Sequence, residues 1–346
     1  MPVESSYPPT FIVSTGRCGS TLASRVMRMH PEILSISEFF MSMATRSFTK
    51  KNLDGDALWR LLSIGHAGEK LVFRPDALVD EFLYPLGPRS QFTLEDLPPL
   101  LYVVLPHLTH DHDAVYAELE PVIRARPHGP LADHFAFLFN WLRLRFNKKL
   151  WVERSGASLT FLPPLKDMYP DARYIHVYRD GRDVAMSMVN HSPTRLFAHA
   201  WKTARLLGIN PLKRPFLIGE TKVIPWFEWP AVKLLGLERK IHEPLPPHVT
   251  GAFWSDMIRI GLDNLADIPP ERQMAMRYEE LVANPREELS RMINFMGPGL
   301  ENDSWLDQAS ALPRHKTPAW STLAADDLAA LQDAVAPGMA LLGYEM

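Results

Sequence analysis

Thr10 to Leu22, read as Thr-Phe-Ile-Val-Ser-Thr-Gly-Arg-Cys-Gly-Ser-Thr-Leu, carries the residue types that could hold an anion and act on it. Phe11, Ile12 and Val13 are a short apolar run of strand formers, followed by a glycine-rich turn, two hydroxyl residues and a helical pattern. Gly16 and Gly19 let the backbone fold tightly, so that several N–H groups can point into one concavity, and Ser20 and Thr21 are placed to cap a helix running to about Met29. A helix N-terminus offers orphan N–H groups and the positive end of a dipole, and Arg17 adds a full positive charge. The chemistry expected is phosphate or sulfate binding; the alternative is a tight turn joining a strand to a helix.

The kind of anion loop is narrowed by what fails to match. An ATP or GTP loop needs Gly-x-x-x-x-Gly-Lys-[Ser/Thr], whereas here the second glycine comes after two residues and no lysine follows it. Cys18 and Arg25 lack the spacing of a cysteine phosphatase loop, so Cys18 reads as a small loop residue. A second anion-type stretch lies far downstream. Arg173 to Val189 is an apolar strand interrupted by Arg-Asp-Gly-Arg-Asp and then a helix, with Arg179 at the strand end and Ser187 eight residues later. Arginine offers a planar, permanently charged fork suited to phosphate, and serine a short donor. A solvated charged turn is the alternative here.

Together the two stretches resemble the sulfotransferases that use 3′-phosphoadenosine 5′-phosphosulfate (PAPS). Arg17-Cys18-Gly19-Ser20-Thr21 is similar to their 5′-phosphosulfate loop, and Arg179 with Ser187 to their 3′-phosphate motif. Arg277-Tyr-Glu-Glu-Leu with Asn284-Pro285 resembles a late segment of the family, and Arg314-His315-Lys316 before Trp320 resembles the basic patch that closes over the 3′-phosphate. The resemblance implies a P-loop NTPase-like sulfotransferase fold. It also implies sulfuryl transfer from PAPS to a hydroxyl or amine of a small-molecule, lipid or carbohydrate acceptor, leaving adenosine 3′,5′-bisphosphate, with no metal required. Gly16, Arg17, Cys18, Gly19, Ser20, Thr21, Arg179, Ser187, Arg314 and Lys316 are then the nucleotide-binding set, and Arg17 the residue that neutralises charge on the leaving phosphate. A P-loop kinase-like phosphotransferase and a catalytically silent nucleotide-binding protein are the rival readings.

The general base is the open point. Pro31 to Glu38 alternates apolar and polar residues, suggesting a short second strand that delivers Glu38 to the edge of the sheet that carries the anion loop, where ligands of parallel sheets bind. The resemblance implies that such a glutamate takes the acceptor proton; the alternative is an exposed acid capping the next helix. Arg154, at the end of the Leu150 to Arg154 strand, replaces the lysine expected in the family and is assigned to the substrate. No histidine follows it in Ser155 to Ser158, so His66 and the histidines of residues 107 to 112 are the next candidates. His107, His110, His112 and Asp113 match no standard zinc spacing.

The elements that must position these residues follow from periodicity. Asp54 to Ala67 is a predicted helix and Lys70 to Arg74 a strand. Leu131, Phe135, Leu138, Phe139, Leu142 and Phe146 recur at helical spacing, so their aromatics should face the sheet. Leu150 to Arg154 is a strand, Ala157 to Tyr169 a helix, Phe197 to Leu207 and Gly251 to Leu265 helices, and Gln273 to Arg277 a strand. Strand, helix, strand, helix is a βαβ unit, so the fold expected is α/β in three layers, a mainly parallel central sheet of about five strands flanked by helices. A single domain is expected over residues 1–346, with insertions at about 75–130 and 209–250. The second, centred on Pro225-Trp-Phe-Glu-Trp-Pro230, suits a lid, a pocket wall or a contact between copies in a homo-oligomer.

The chain has 346 residues, 46% hydrophobic and 22% charged, with a net charge of −3, which argues against a general nucleic-acid or anionic-membrane binder. Its one cysteine excludes an internal disulfide and suits a reducing compartment. Met1 to Pro9 has no basic and apolar leader pattern and no run is long enough for a membrane span, so a cytoplasmic protein is expected.

Overall fold

A computed structural model describes residues 5–48, 52–65, 82–213, 236–315 and 317–345. Its centre is a five-stranded parallel sheet in the order β2-β5-β1-β6-β7: β1 Thr10–Val13, β2 Ile33–Ser37, β5 Leu150–Arg154, β6 Arg173–Tyr178 and β7 Gln273–Arg277. A two-stranded antiparallel pair, β3 Asn52–Leu53 with β4 Gly129–Pro130, lies apart from it. β1 and β5 are buried at every position, as strands in the middle of a parallel sheet are, although β5 ends in Glu153 and Arg154. The alternation in β2 does not mark a solvated face, since all five of its residues are buried. Its serines are buried because they are bonded: Ser35 Oγ donates to the Ser24 carbonyl at 3.0 Å, and Ser37 Oγ accepts from Arg154 Nη2 at 2.8 Å.

One face of the sheet is built from aromatic rings. Phe11 lies with ring centroids 5.8 Å from Trp151, 5.3 Å from Tyr169 and 5.8 Å from Tyr174, and the Leu131–Arg145 helix sets Phe139 4.9 Å from Trp151. Of the aromatics expected to face the sheet, Phe139 does so, Phe135 packs on Phe39 and Phe40, and Phe146, at the end of the helix, is half-buried. The Pro247–Leu265 helix carries fully buried Trp254, and it can approach the helix after β6 only because residue 181 is glycine: a Cβ there would come within 2.3 Å of the indole. A C-terminal helix, Ala325–Leu341, packs on Pro247–Leu265 and was not anticipated, because its alanine-rich sequence and Pro337 give a weak helical pattern. Its Leu331, Val335 and Met339 are fully buried, worth about 1.5–3 kcal/mol each for side chains of this size, which outweighs the local cost of the proline. Just beyond Pro337, the Gly338 N–H donates to Ser255 Oγ at 2.7 Å.

Several expected elements differ in extent. Ala157 to Tyr169 is not one helix but a 3₁₀ turn, Ser158–Phe161, then a helix, Leu162–Met168, because Pro163 and Pro164 supply no N–H and force a restart. Asp54 caps a helix at Gly55–Ser63, accepting from the Ala57 N–H at 2.7 Å. Residues 82–128 contain the helices Pro99–Tyr102, Val104–Leu108 and His112–Arg124. The expected strand at 70–74, His66, the Trp-rich centre of the second insertion and Lys316 lie outside the described residues. No helix among the described residues is long and apolar enough to cross a membrane.

Candidate active site

The carboxyl ends of the parallel strands bring to one edge the Ser14 to Gly19 loop after β1, Glu38 after β2, Ser155 and Gly156 after β5, Arg179 after β6 and Tyr278 after β7. The backbone is unusual here. Gly16 and Gly19 take φ of 76° and 92°, but Arg17, Glu38 and Ala157 also sit in the left-handed region, at 59°, 58° and 54°. Among the described residues the one other non-glycine with positive φ is Asn147. Such conformations cost of order 1–3 kcal/mol each and gather where a function holds them.

The anion loop is tied internally and to β5's turn: the Gly16 N–H donates to Ser14 Oγ at 3.2 Å and the Ser14 N–H to Ser158 Oγ at 3.3 Å. The expected cap is corrected. Gly19, not Ser20 or Thr21, is the N-cap of the Ser20–Arg28 helix, and it has no side chain with which to satisfy the first turn. Ser20 and Thr21 are the first two helical residues, Ser20 buried and Thr21 exposed. A helix start without a side-chain cap is available to an external anion. The helix after β6, Gly181–Val189, contrasts with it: Asp180 caps it, accepting from the Arg182 N–H at 2.8 Å. Cys18 is fully buried with its Sγ 3.1 Å from the Val177 carbonyl, and burial raises its thiol, so it packs the loop and is no nucleophile.

The two stretches singled out from the sequence meet: Arg17 Nε donates to Ser187 Oγ at 3.1 Å, across 170 residues of chain. Arg179 lies beside them, its guanidinium 4.6 Å from the centre of the Tyr278 ring and its Nη2 2.7 Å from Asp183 Oδ2, with a buried Nε that has no partner. Burial raises the Asp183 carboxyl, and the Arg179 charge pulls it the other way. Tyr278 packs so close to the loop that a Cβ on residue 19 would come within 2.2 Å of its ring, so the glycine serves the contact as well as the turn. Arg182 stacks 4.2 Å from the Trp320 ring, joining the C-terminal segment to this helix, and Arg314 is exposed.

Glu38 is buried, not an exposed cap. Its carboxylate accepts from Arg154 Nη1 and, at 2.9 Å, from the Gly156 N–H, while Arg154 Nη2 reaches Ser37. The N–H groups that start the Phe39–Met43 helix go elsewhere: Phe39 N–H to Glu153 Oε1 at 3.2 Å, and Phe40 and Met41 N–H to Ser155 Oγ at 3.1 and 3.4 Å. Glu153 and Ser155 were not singled out from the sequence; a buried acid in an apolar strand was the signal available. The histidines do not converge. His107 is buried with Nε2 3.5 Å from Ser24 Oγ, and burial with the Arg154 and Arg28 charges pushes it down to about 3, so it is neutral at physiological pH. His110 is exposed and His112 packs on Tyr84. Among the described residues no three His, Cys, Asp or Glu side chains group as a metal site.

No curated protein sequence matches the chain. Among solved structures it is similar to the sulfotransferase domain of the Synechococcus PCC 7002 olefin synthase, at 19% identity and TM-score 0.48, covering 100% of this chain and 98% of that one. It is similar to the sulfotransferase domain from the curacin biosynthetic pathway, at 16% and 0.47, covering 99% and 100%. A sulfotransferase from Mycobacterium avium gives 16% and 0.44, covering 100% and 79%. Residues 157–312 match the family model described as "Sulfotransferase domain", a span that contains Arg179, Ser187 and Tyr278 but not the 14–19 loop or Glu38. That span of the chain therefore carries a sulfotransferase domain.

Proposed function

We propose that this edge of the sheet binds PAPS and passes its sulfuryl group to a hydroxyl or amine of a small-molecule, lipid or carbohydrate acceptor. The observation that carries the reading is the Arg17–Ser187 hydrogen bond at 3.1 Å, which makes the loop after β1 and the helix after β6 one surface. The residues fit such a ligand. The Ser20–Arg28 helix begins without a side-chain cap, and Arg179 keeps a buried, unpartnered Nε beside Ser187's helix. When bound, PAPS supplies an activated sulfuryl group and a phosphate that leaves with it.

The chain's own residues then have distinct tasks. The Gly16 to Thr21 loop, with Ser20 and Thr21, holds the 5′-phosphate; Arg17 balances the charge that grows there; Arg179 and Ser187 hold the 3′-phosphate, with Arg314 and Lys316 over it. Glu38 takes the acceptor proton, and Arg154 with the Gly156 N–H keeps its carboxylate in place. As in phosphoryl transfer, positioning and charge stabilisation provide the rate. Residues 1–346 act as one domain, and the 75–130 insertion walls the acceptor pocket. The helices at 99–108 pack on β2 and on the Phe39–Met43 helix, next to Glu38, which supports that assignment. The 209–250 stretch is assigned to the same wall. The lone, buried Cys18 supports a reducing, cytoplasmic setting.

Adenosine 3′,5′-bisphosphate is expected to raise the Tm, ATP to leave it unchanged, and Arg179→Ala to remove most of the shift, since a charge-assisted hydrogen bond is worth about 1.5–3 kcal/mol. A thermal-shift series with both nucleotides checks this; equal shifts would favour a kinase-like site and overturn the proposal.

A further inference from the structure

We propose that Glu153 is the positioning residue for Glu38: it caps the Phe39–Met43 helix from the neighbouring strand and so leaves the Glu38 carboxylate turned into the site. The proposal deepens the reading of Glu38 as base and rests on it.

A residue at the start of a helix ordinarily spends its own side chain on the orphan N–H groups of the first turn. Glu38 holds that position, with the Ser42 N–H bonded to its carbonyl at 2.8 Å, yet its side chain bonds Arg154 and Gly156 instead. The first turn is satisfied from β5. Glu153 Oε1 accepts from Phe39 N–H at 3.2 Å and from Ser155 Oγ at 2.6 Å, and Ser155 Oγ accepts from Phe40 and Met41. Glu153 is 1% exposed, so it does not itself meet an acceptor. Removing its oxygen would strand the Phe39 N–H, and the nearest carboxylate able to replace it is Glu38 itself, which would turn out of the site to do so.

Charge balance bears on the protonation of Glu153. The groups facing Glu153 are Arg154 on its own strand, Glu38 from the end of β2, and Tyr169 from the element after β5. Arg154 makes its direct pair with Glu38, and this leaves Glu153 buried beside a carboxylate, which favours its proton. Burial is the largest cause and the Glu38 charge adds to it, pushing Glu153 up to about 8. Because the folded value lies above the ordinary 4.5, the group favours the fold most below pH 4.5, and that contribution is lost as pH rises to about 8.

The test compares Glu153→Leu, Glu153→Gln and Ser155→Ala, reading amide hydrogen exchange at residues 39–41, kcat and KM, and Tm against pH. Glu153→Leu is expected to speed exchange at Phe39 and to lower kcat, each by about tenfold or more, with the KM for PAPS little changed. Glu153→Gln, which keeps the accepting oxygen, is expected to restore both, and to abolish the decline of kcat above about pH 8 and the fall of Tm between pH 5 and 8 that are expected of the wild type. Should Glu153→Leu not fold, Ser155→Ala gives the same split through exchange at Phe40 and Met41. Exchange unchanged in Glu153→Leu, or Glu153→Gln as impaired as Glu153→Leu, overturns the proposal. A wild type that transfers no sulfate overturns the reading of the base and leaves the exchange result standing.

Discussion

Glu38→Gln lowers kcat by about 10²- to 10⁴-fold, the range of a lost general base, while the protein stays folded and binds adenosine 3′,5′-bisphosphate as before. The fold survives for a reason visible in the cluster around it. Glutamine keeps an oxygen for Arg154 Nη1, and the buried Arg154 charge, which would cost several kcal/mol if stranded, has Glu153 beside it. With Glu38 neutral, one of the causes that hold the proton on Glu153 is gone, although burial, the largest, remains. As a base, Glu38 must be unprotonated to act, so the wild-type rate falls on the acid side and the residual rate of the variant lacks that limb. Steady-state kinetics across pH, with calorimetric binding as control, checks both parts. Near-normal turnover in Glu38→Gln would move the base elsewhere, with His107, which feels the Arg154 charge, the next histidine to test.

Arg17→Ala is expected to lower kcat by about 10²- to 10³-fold, as removal of one electrostatic stabiliser of a developing charge does, while affinity for adenosine 3′,5′-bisphosphate falls by about tenfold at most. The asymmetry follows from the geometry. The bond from Arg17 Nε goes to Ser187, a neutral partner, so losing that bond costs less than losing the interaction with the charge that builds on the leaving phosphate. Its backbone takes a left-handed φ of 59°, and alanine there keeps the same backbone demand. Single-turnover rates against binding constants for the variant distinguish the roles; equal losses in both would make Arg17 a binding residue only.

Strand β1, its turn and the helix behind it were legible because apolar run, glycines and helical period follow one another without interruption in 20 residues. The parallel sheet was legible for the same reason at β5, β6 and β7, each an apolar run with a helix after it. What hid the rest is physical. Gly19 became the cap because Tyr278, from the far end of the chain, packs on it, and no local pattern reports a contact over that distance. The burial of Glu38 depends on Arg154 and Gly156 across the sheet, and the task of capping passes to Glu153 and Ser155, neighbours only once β2 and β5 pair. The C-terminal helix docks by Leu331, Val335 and Met339 on Pro247–Leu265, so its stability is tertiary and its own sequence shows little of it.

The two phosphate-holding groups are the centre of this account, and their separation can be measured directly by titrating the protein with adenosine 3′,5′-bisphosphate and with adenosine 5′-phosphate. Wild type should bind the bisphosphate about 10- to 100-fold more tightly, the worth of one charge-assisted contact to the 3′-phosphate, and Arg179→Ala should abolish the difference. Equal affinity for the two nucleotides in the wild type, or a preference that survives in Arg179→Ala, would contradict it.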